Sequence, residues 1–581
     1  MERSEVADGM QIDWDVPIAM DDGIVLRADV FRPTGEGRHP VLMTYGPYAK
    51  GLSFAEGYPA QWAKLVADHP EVARGTSTRH ANWETADPEK WVPDGYVVIR
   101  VDSRGAGASP GFLDPFSPRE VRDYYDCIEW AGVQPWSSGR VGLLGVSYYA
   151  MNQWQVAALR PPHLAAICPF EGASDLYRDG TRHGGMMCTF WTRWYPLQVT
   201  NAQYGLGRNG RLSAVTGRPI GGDVELTPAQ MAANRVDLRR CELDHPLLDD
   251  YWTGRIPDLS RIEVPVLSCG NWGGQGLHLR GNVEGFLGAG SEQKWLEMHG
   301  LEHWTEFYTD YGVELEKRFF GHFLQGRDTG WDAQPAISMK VRTPDGFVTR
   351  AADSWPLRET EWTTLHLDVA DRTLAPAAAT GAASVSFSAL DEQVDLATEP
   401  FAEETTIIGP LTARISASSS TEDLDLFLTV RLFREDDSEV LFVGAVEPNA
   451  PLTQGWLRAS HRKLDPERST PWRPVYAHDE LLPVVPGEIY DLDVEIWPTS
   501  IVVPAGYRLI LTISGHDFDN GLPSPLPQLY GVEQRGSSVY LHDDPEDRPV
   551  ERFGGRTTIH SGAVHDSVLV LPVVPAAEAD R

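Results

Sequence analysis

The sequence predicts an α/β domain built on a mostly parallel sheet, interrupted by an inserted helical cap and followed by an all-β sandwich. Three observations carry this. From about residue 10 to 330, short β-branched runs alternate with amphipathic segments, the pattern of a sheet covered by helices. Two of those runs are separated by about a hundred residues, far more than a simple crossover needs. Beyond about residue 335 the alternation changes to period two, with turn clusters and no long helix.

The candidate strands of the first domain are Val41 to Thr44, Tyr96 to Val101, Val141 to Gly145, Leu164 to Cys168, Val264 to Cys269 and Lys294 to Met298, each bounded by Gly, Pro or Asp. One helix has a clear start. Ser117, Pro118 and Glu120 read as a capping box with proline in the first turn, and Val121, Tyr124, Ile128 and Ala131 follow at helical spacing. In the long insert, Thr227 and Pro228 read as a second helix start, with Gln230 to Arg240 helical behind them. Gly330 to Pro335 is the expected linker. In the sandwich, Leu424, Leu426, Leu428, Val430 and Leu432 fall on one face at period two, and Tyr507 to Ser514 alternates similarly. The Ala-rich stretch Ala375 to Ala383 reads as a surface loop. The expected division is therefore a core of residues 1–174 and 259–332, a cap of residues 175–258 and a C-terminal sandwich of residues 333–581.

At 581 residues the chain exceeds what one hydrophobic core organises, which leaves volume for an enclosed site. Its formal net charge is −33, from 50 Lys and Arg against 83 Asp and Glu, which repels phosphate backbones and anionic lipid surfaces. Nucleic acid and membrane are thus not expected partners. Met1 to Asp15 lacks the basic start and apolar run of an export signal, and no apolar stretch reaches the roughly 20 residues that span a bilayer. The five cysteines are scattered, odd in number and without metal-type CxxC spacing, as in reduced cytoplasmic proteins. No metal or organic cofactor is implied.

The segment Val141-Gly-Leu-Leu-Gly-Val-Ser-Tyr-Tyr-Ala150 runs from a buried strand through Ser147 into a helix. That is the context of a nucleophile elbow, the sharp turn that lifts a serine hydroxyl out of the sheet of an α/β-hydrolase fold. The backbone N–H of Tyr148 would point at the developing oxyanion. The pentapeptide departs from G-x-S-x-G in its last position, which is Tyr149.

At this point the chain resembles the cocaine-esterase-like and X-prolyl dipeptidyl peptidase-like serine hydrolases, a group that also holds glutaryl acylases and α-amino acid ester hydrolases. The resemblance rests on Met20-Asp-Asp-Gly-Ile-Val-Leu-Arg-Ala-Asp-Val-Phe-Arg-Pro33, Gly46-Pro-Tyr48, Asp102-Ser-Arg-Gly-Ala-Gly-Ala-Ser109 and Gln134-Pro-Trp136 leading to Gly145-Val-Ser-Tyr148. Asp423-Leu-Asp425, Gly455-Trp-Leu-Arg-Ala-Ser460 and Ala505-Gly-Tyr-Arg508 look like that family's jelly-roll domain. The resemblance implies that His303, in Gly300-Leu-Glu-His-Trp304, is the base, and that the Tyr48 hydroxyl is the second oxyanion donor. His278 and His299 read as structural, one within a helix and the other facing away at a strand end.

The acid departs from the pattern. Relatives carry an aspartate where this chain has Gly273, within Gly270-Asn-Trp-Gly-Gly-Gln-Gly276. Glu171 is the expected replacement, because it follows the strand after the nucleophile strand and so emerges at the same sheet edge, an arrangement similar to that of some lipases. Asp175 and Glu302 are its rivals. The aromatic run Phe190, Trp191, Trp194 and Tyr195 is expected to line the acyl pocket from the cap, with Phe190, Trp191 and Trp194 on its wall. The expected reaction is hydrolysis of a small-molecule ester or amide through an acyl-enzyme on Ser147. Two alternatives stay open: an X-prolyl dipeptidyl peptidase, with Asp175 and Asp179 holding an α-amine, and a non-catalytic ligand-binding protein with a decayed triad. Self-association into a homo-oligomer is also left open.

Overall fold

The structure is a computed structural model that describes residues 3–524 and 527–575. Among them, one sheet runs in the order 3–7, 10–19, 25–33, 97–102, 39–46, 137–146, 164–170, 266–271, 294–299, 337–343 and 346–352. From 97–102 to 337–343 neighbouring strands are parallel, and the pairings at both flanks are antiparallel. The parallel strands are covered on both faces, which is why Val97–Asp102 is buried along its whole length and is apolar at every position except Arg100 and Asp102.

Each strand expected for the first domain is present, with ends shifted by a residue or a few. The helix Pro118–Gly132 begins where its cap residues said, and the Ser117 side chain accepts the Glu120 N–H. The reciprocal half of the box does not form. The Glu120 carboxylate instead accepts the Phe116 N–H and the Tyr148 hydroxyl, at 2.6 Å each, and so ties the start of this helix to the helix Tyr148–Ala157.

The insert is less helical than expected. Pro228–Ala233 and Leu238–Asp244 are separate short helices, because the Asp237 side chain caps a new start where one continuous helix was expected. Between them and the core lie a two-strand hairpin, the short helix Phe190–Trp194 and irregular chain. The first sheet also runs farther than the expected boundary at residue 333. Ile337–Thr343 pairs in parallel with Lys294–His299, and Gly346–Ala352 turns back against it. The polar linker 330–335 therefore joins two parts of the same sheet.

The sandwich follows, from Glu361 to Val574, with Leu424, Leu426, Leu428, Val430 and Leu432 buried in its core as their spacing required. A mixed core joins the two domains: Trp272, Leu296 and Ile337 from the first pack with Phe427, Trp456 and Trp497 from the second. This contact holds sandwich loops over the carboxyl ends of the parallel strands. There the chain reverses its winding, since strand 39–46 lies between 97–102 and 137–146. The crevice at such a reversal is where open α/β sheets place their ligands.

Candidate active site

The carboxyl ends of the parallel strands carry nearly all the residues in question. Tyr48 follows 39–46, Ser147 follows Ser137–Val146, Glu171 follows Leu164–Phe170, Asn271 ends Val266–Asn271, and His299 ends Lys294–His299. His303 lies four residues beyond, in the loop after that strand.

Ser147 sits at φ 57° and ψ −116°, a conformation strained for a residue with a side chain. Its N–H is shared between the carbonyls of Phe170 and Glu171, at 3.2 and 3.1 Å, which holds the turn in place. Gly145 is required by sterics. A Cβ there would lie 2.5 Å from Tyr149 Cβ and 3.2 Å from the Glu84 carbonyl oxygen, so a tyrosine in the elbow's last position leaves no room for a side chain two residues before the serine. Tyr148 opens the helix, and its N–H has no carbonyl four residues earlier to donate to.

Glu171 is fully buried at φ 49°. One carboxylate oxygen lies 3.1 Å from His303 Nδ1; the other lies 3.0 Å from His299 Nε2 and accepts the Asn271 amide at 3.2 Å. Burial by itself would raise this carboxyl, but the His303 charge and the hydrogen bonds to both imidazoles bring it down to about 2. The converse holds for His303. Burial disfavours its charge, yet Glu171 and Glu84 raise it to about 10.

His299 does not face away. It bridges Glu171 and Glu297, with Nδ1 2.7 Å from the Glu297 carboxylate, because a residue at the strand end still points along the row of strand ends that forms the site. His278 precedes the helix Leu279–Gly288 and stacks on His303 at a 5.4 Å centroid separation and 15° between rings. Burial, and then the nearby His303 charge, push its pKa well below the ordinary range, so it is a neutral plate.

The residue that the sequence reading missed is Glu84. Its carboxylate lies 2.9 Å from His303 Nε2, and its backbone carbonyl accepts the Val146 N–H beside the elbow. It is buried at φ 61°, and its second carboxylate oxygen has no hydrogen-bond partner among the described residues. Burial raises its pKa, a shift partly offset by His303. Nothing local in Asn82-Trp-Glu-Thr85 marks it, since it reaches the site through a long loop between two strands.

The Tyr48 hydroxyl accepts the Trp194 indole N–H at 3.2 Å. Indole only donates, so the phenol's own proton is left to donate elsewhere. Tyr48, Ser147, Glu84, Phe190, Trp194 and His303 all line one narrow cavity of about 30 Å³. Sandwich loops close it with Val446, Tyr530 and Tyr540. Tyr48, Tyr58, Trp83, Gln198 and Tyr530 are shared with a wider adjoining chamber of about 550 Å³, within the range that holds a small organic substrate.

Trp191 is not on that wall. It packs behind it, edge-on to Phe116 and Trp194, because successive residues of a short helix point to different sides. Asp175 is paired with Arg178, and Asp179 with Arg280, both buried away from the cavity. Glu302 pairs with Lys64. None of the three carboxylates is paired with the His303 ring among the described residues. The space at Gly273 is also accounted for. A Cβ there would lie 2.6 Å from Gly444 Cα and from the Val443 carbonyl oxygen, so a sandwich loop fills the position where the family resemblance implied an aspartate. The same loop accepts the His303 N–H at Ala445 and donates from Ala445 to the Gly273 carbonyl.

Comparison with known proteins gives the family. Residues 22–305 match the X-Pro dipeptidyl-peptidase (S15 family), and residues 329–570 match the X-Pro dipeptidyl-peptidase C-terminal non-catalytic domain. A CocE/NonD family hydrolase from Staphylococcus aureus superposes with a TM-score of 0.83 at 31% identity, over 99% of this chain and 97% of its own. Cocaine esterase from Rhodococcus sp. (strain MB1 Bresler) is 24% identical over 96% of this chain and 98% of its own. An α-amino acid ester hydrolase shares the fold, with a TM-score of 0.67 at 15% identity over 99% of this chain and 96% of its own. With an α/β-hydrolase core, a C-terminal β-sandwich and these relatives along its whole length, the chain belongs to the cocaine-esterase-like, X-Pro dipeptidyl-peptidase-like family of serine hydrolases.

Proposed function

We propose that the protein hydrolyses a small-molecule carboxylic ester or amide through an acyl-enzyme on Ser147, with His303 as base, Glu171 as the acid behind it, and Tyr148 N–H and Tyr48 hydroxyl as oxyanion donors. The observation that carries this reading is the bridge from Glu171 to His303 Nδ1 at 3.1 Å, at the cavity that Ser147 also lines. In the first step the Ser147 oxygen bonds to the acyl carbon and its proton passes to His303 Nε2. The two donors stabilise the tetrahedral oxyanion, and the imidazolium then protonates the leaving group. Water repeats the sequence to release the acid.

Glu84 meets Nε2 in the resting site, so the proton between them must leave with the Glu84 carboxyl, whose pKa burial already raises, before Nε2 can take the serine proton. It acts as a positioning residue. Phe190 and Trp194 form the acyl wall, and the adjoining chamber takes the leaving group. Asp175 and Asp179 each have an arginine partner, which disfavours the reading in which they hold a substrate α-amine. A cytoplasmic location belongs to this proposal, supported by five free cysteines; no helix among the described residues is long and apolar enough to cross a membrane.

The test is labelling by a fluorophosphonate followed by peptide mapping, with rates on p-nitrophenyl esters of graded chain length compared with an X-Pro anilide. Adduct on Ser147, its loss in Ser147→Ala and preference for the esters are expected. Failure of the folded wild type to label would return the chain to the non-catalytic reading.

A further inference from the structure

We propose that His183, Cys188 and His542 form a binding site for one divalent metal ion of the zinc class, which fastens the cap to the sandwich directly behind the acyl wall. The three residues come from separate elements. Arg182–His183 and Met186–Met187 pair as an antiparallel hairpin across Gly184 and Gly185, whose φ values of 54° and 96° make the tight turn. That hairpin brings Cys188 back beside His183, and His542 arrives from the sandwich. One ligand atom of each lies within 4.8 Å of the other two, and all three residues are buried. The cysteine spacing could not reveal such a site, because only one cysteine takes part.

Proton bookkeeping points to a cation. His183 Nε2 lies 3.1 Å from the Asp179 carbonyl oxygen, which can only accept, so this nitrogen carries hydrogen. His542 Nδ1 lies 2.7 Å from the Asp517 carboxylate and carries hydrogen for the same reason. The remaining nitrogens, His183 Nδ1 and His542 Nε2, then face each other at 2.9 Å with two lone pairs. A cation between them relieves that repulsion, as would a hydrogen on one of them. A proton would serve two imidazoles alone, but here a sulfur converges on the same point. The outer contacts also have the form seen around metal-bound histidines, each donating its far N–H to a carboxylate or a backbone carbonyl.

Nitrogen and thiolate donors suit zinc, with one position of a tetrahedron left open. Zinc–nitrogen bonds of about 2.0–2.1 Å at a tetrahedral angle separate the two nitrogens by about 3.3 Å, so loading needs the rings to part by only a few tenths of an ångström. The thiol proton of Cys188 leaves to solvent as the metal binds. Cys188 is two residues before Phe190 and His542 two after Tyr540. Both aromatics line the cavity, with ring centroids 5.4 Å apart. The ion would therefore fix the relative position of the two walls. The ligand set touches none of the Ser147 machinery, so its test is independent of the hydrolase reading.

The experiment uses the full chain, produced with zinc in the medium and dialysed into metal-free buffer. Elemental analysis is expected to give about one zinc per chain. Chelated protein reloaded with Co²⁺ is expected to show visible d–d bands and a near-ultraviolet thiolate-to-cobalt band. Cys188→Ser, which keeps the side chain's shape, should lose the thiolate band, and Asp517→Asn should weaken affinity about 10–100-fold. Zn²⁺ should raise the melting temperature of the chelated wild type but not of His542→Gln. Substoichiometric zinc with no cobalt spectrum and no zinc-dependent melting would overturn the proposal and leave a shared proton only. A thiolate band that survives in Cys188→Ser would overturn it as well.

Discussion

The Glu84 carboxylate stands 2.9 Å from Nε2 of His303, the nitrogen assigned to receive the Ser147 proton. With Glu171 on Nδ1, the imidazole is held between two carboxylates. An anion at each end favours the imidazolium, and an imidazolium cannot act as a base.

Glu84→Gln keeps the volume of the side chain and removes its charge. The sign follows from Coulomb attraction: losing an anion lowers the His303 pKa, so the rising limb of kcat/KM against pH should move to lower pH, by about 1–3 units. Profiles on a nitrophenyl ester check this. An unmoved limb would mean that Glu84 does not govern the base.

Glu171→Gln should lower kcat by about 10⁴, as loss of the acid does in other serine hydrolases. Adding Gly273→Asp should not rescue it, because its Cβ would collide with Gly444 and Val443, and the double variant should melt below the single one. Recovery of rate on adding Gly273→Asp would show that the sandwich loop yields.

Tyr48→Phe removes one oxyanion donor and leaves the ring in place. A fall in kcat of about 10²–10³ is expected, with little change in melting temperature. Loss of stability at unchanged rate would make Tyr48 a packing residue.

Trp191 and Phe190 should separate in their effects. Trp191→Ala empties a packed position behind the wall and should cost about 3–5 kcal/mol in denaturant unfolding, while the ranking of acyl chain lengths stays the same. Phe190→Leu alters the wall itself and should change that ranking at near-normal stability. The reverse pattern would exchange their positions.

The cluster also predicts a pH window for stability. Burial opposes the Glu171 charge, but His303 and His299 hold its pKa at about 2 against an ordinary 4.5, so its contribution is present above pH 4.5 and is lost as the pH falls toward 2. Burial likewise opposes the two imidazolium charges, yet Glu297 and Glu171 at His299, and Glu171 and Glu84 at His303, raise both to about 10 from 6.5. Their contribution is complete below pH 6.5 and is lost as the pH rises toward 10. The melting-temperature gap between wild type and Glu171→Gln should therefore be widest between pH 4.5 and 6.5, and thermal scans at graded pH test it.

Ser147 and Glu171 were placed in the sequence from the strands they follow, and Tyr48 and His303 from the family resemblance; in a parallel sheet the residues after such strands meet at one edge, and the structure has all four there. The same local rules gave the leucine face of strand Asp425–Phe433. They failed where the partner comes from far along the chain. Glu120 looked like half of a capping box until Tyr148 competed for its carboxylate, and His299 looked idle until Glu171 was beside it. Glu84 had no local signal, and the continuation of the first sheet through Gly346–Ala352 was not expected, because a linker looks the same whether it joins two domains or two strands of one sheet. The sequence by itself determined which strands form and which residues lie at their carboxyl ends, since hydrophobic periodicity and turn residues act over a few positions. Only the tertiary structure decided that Glu84 would meet His303 and that Val443–Ala445 would fill the space at Gly273. Those contacts depend on how loops pack over the sheet, where the energy lies in close approach of distant segments and not in any local preference of the chain.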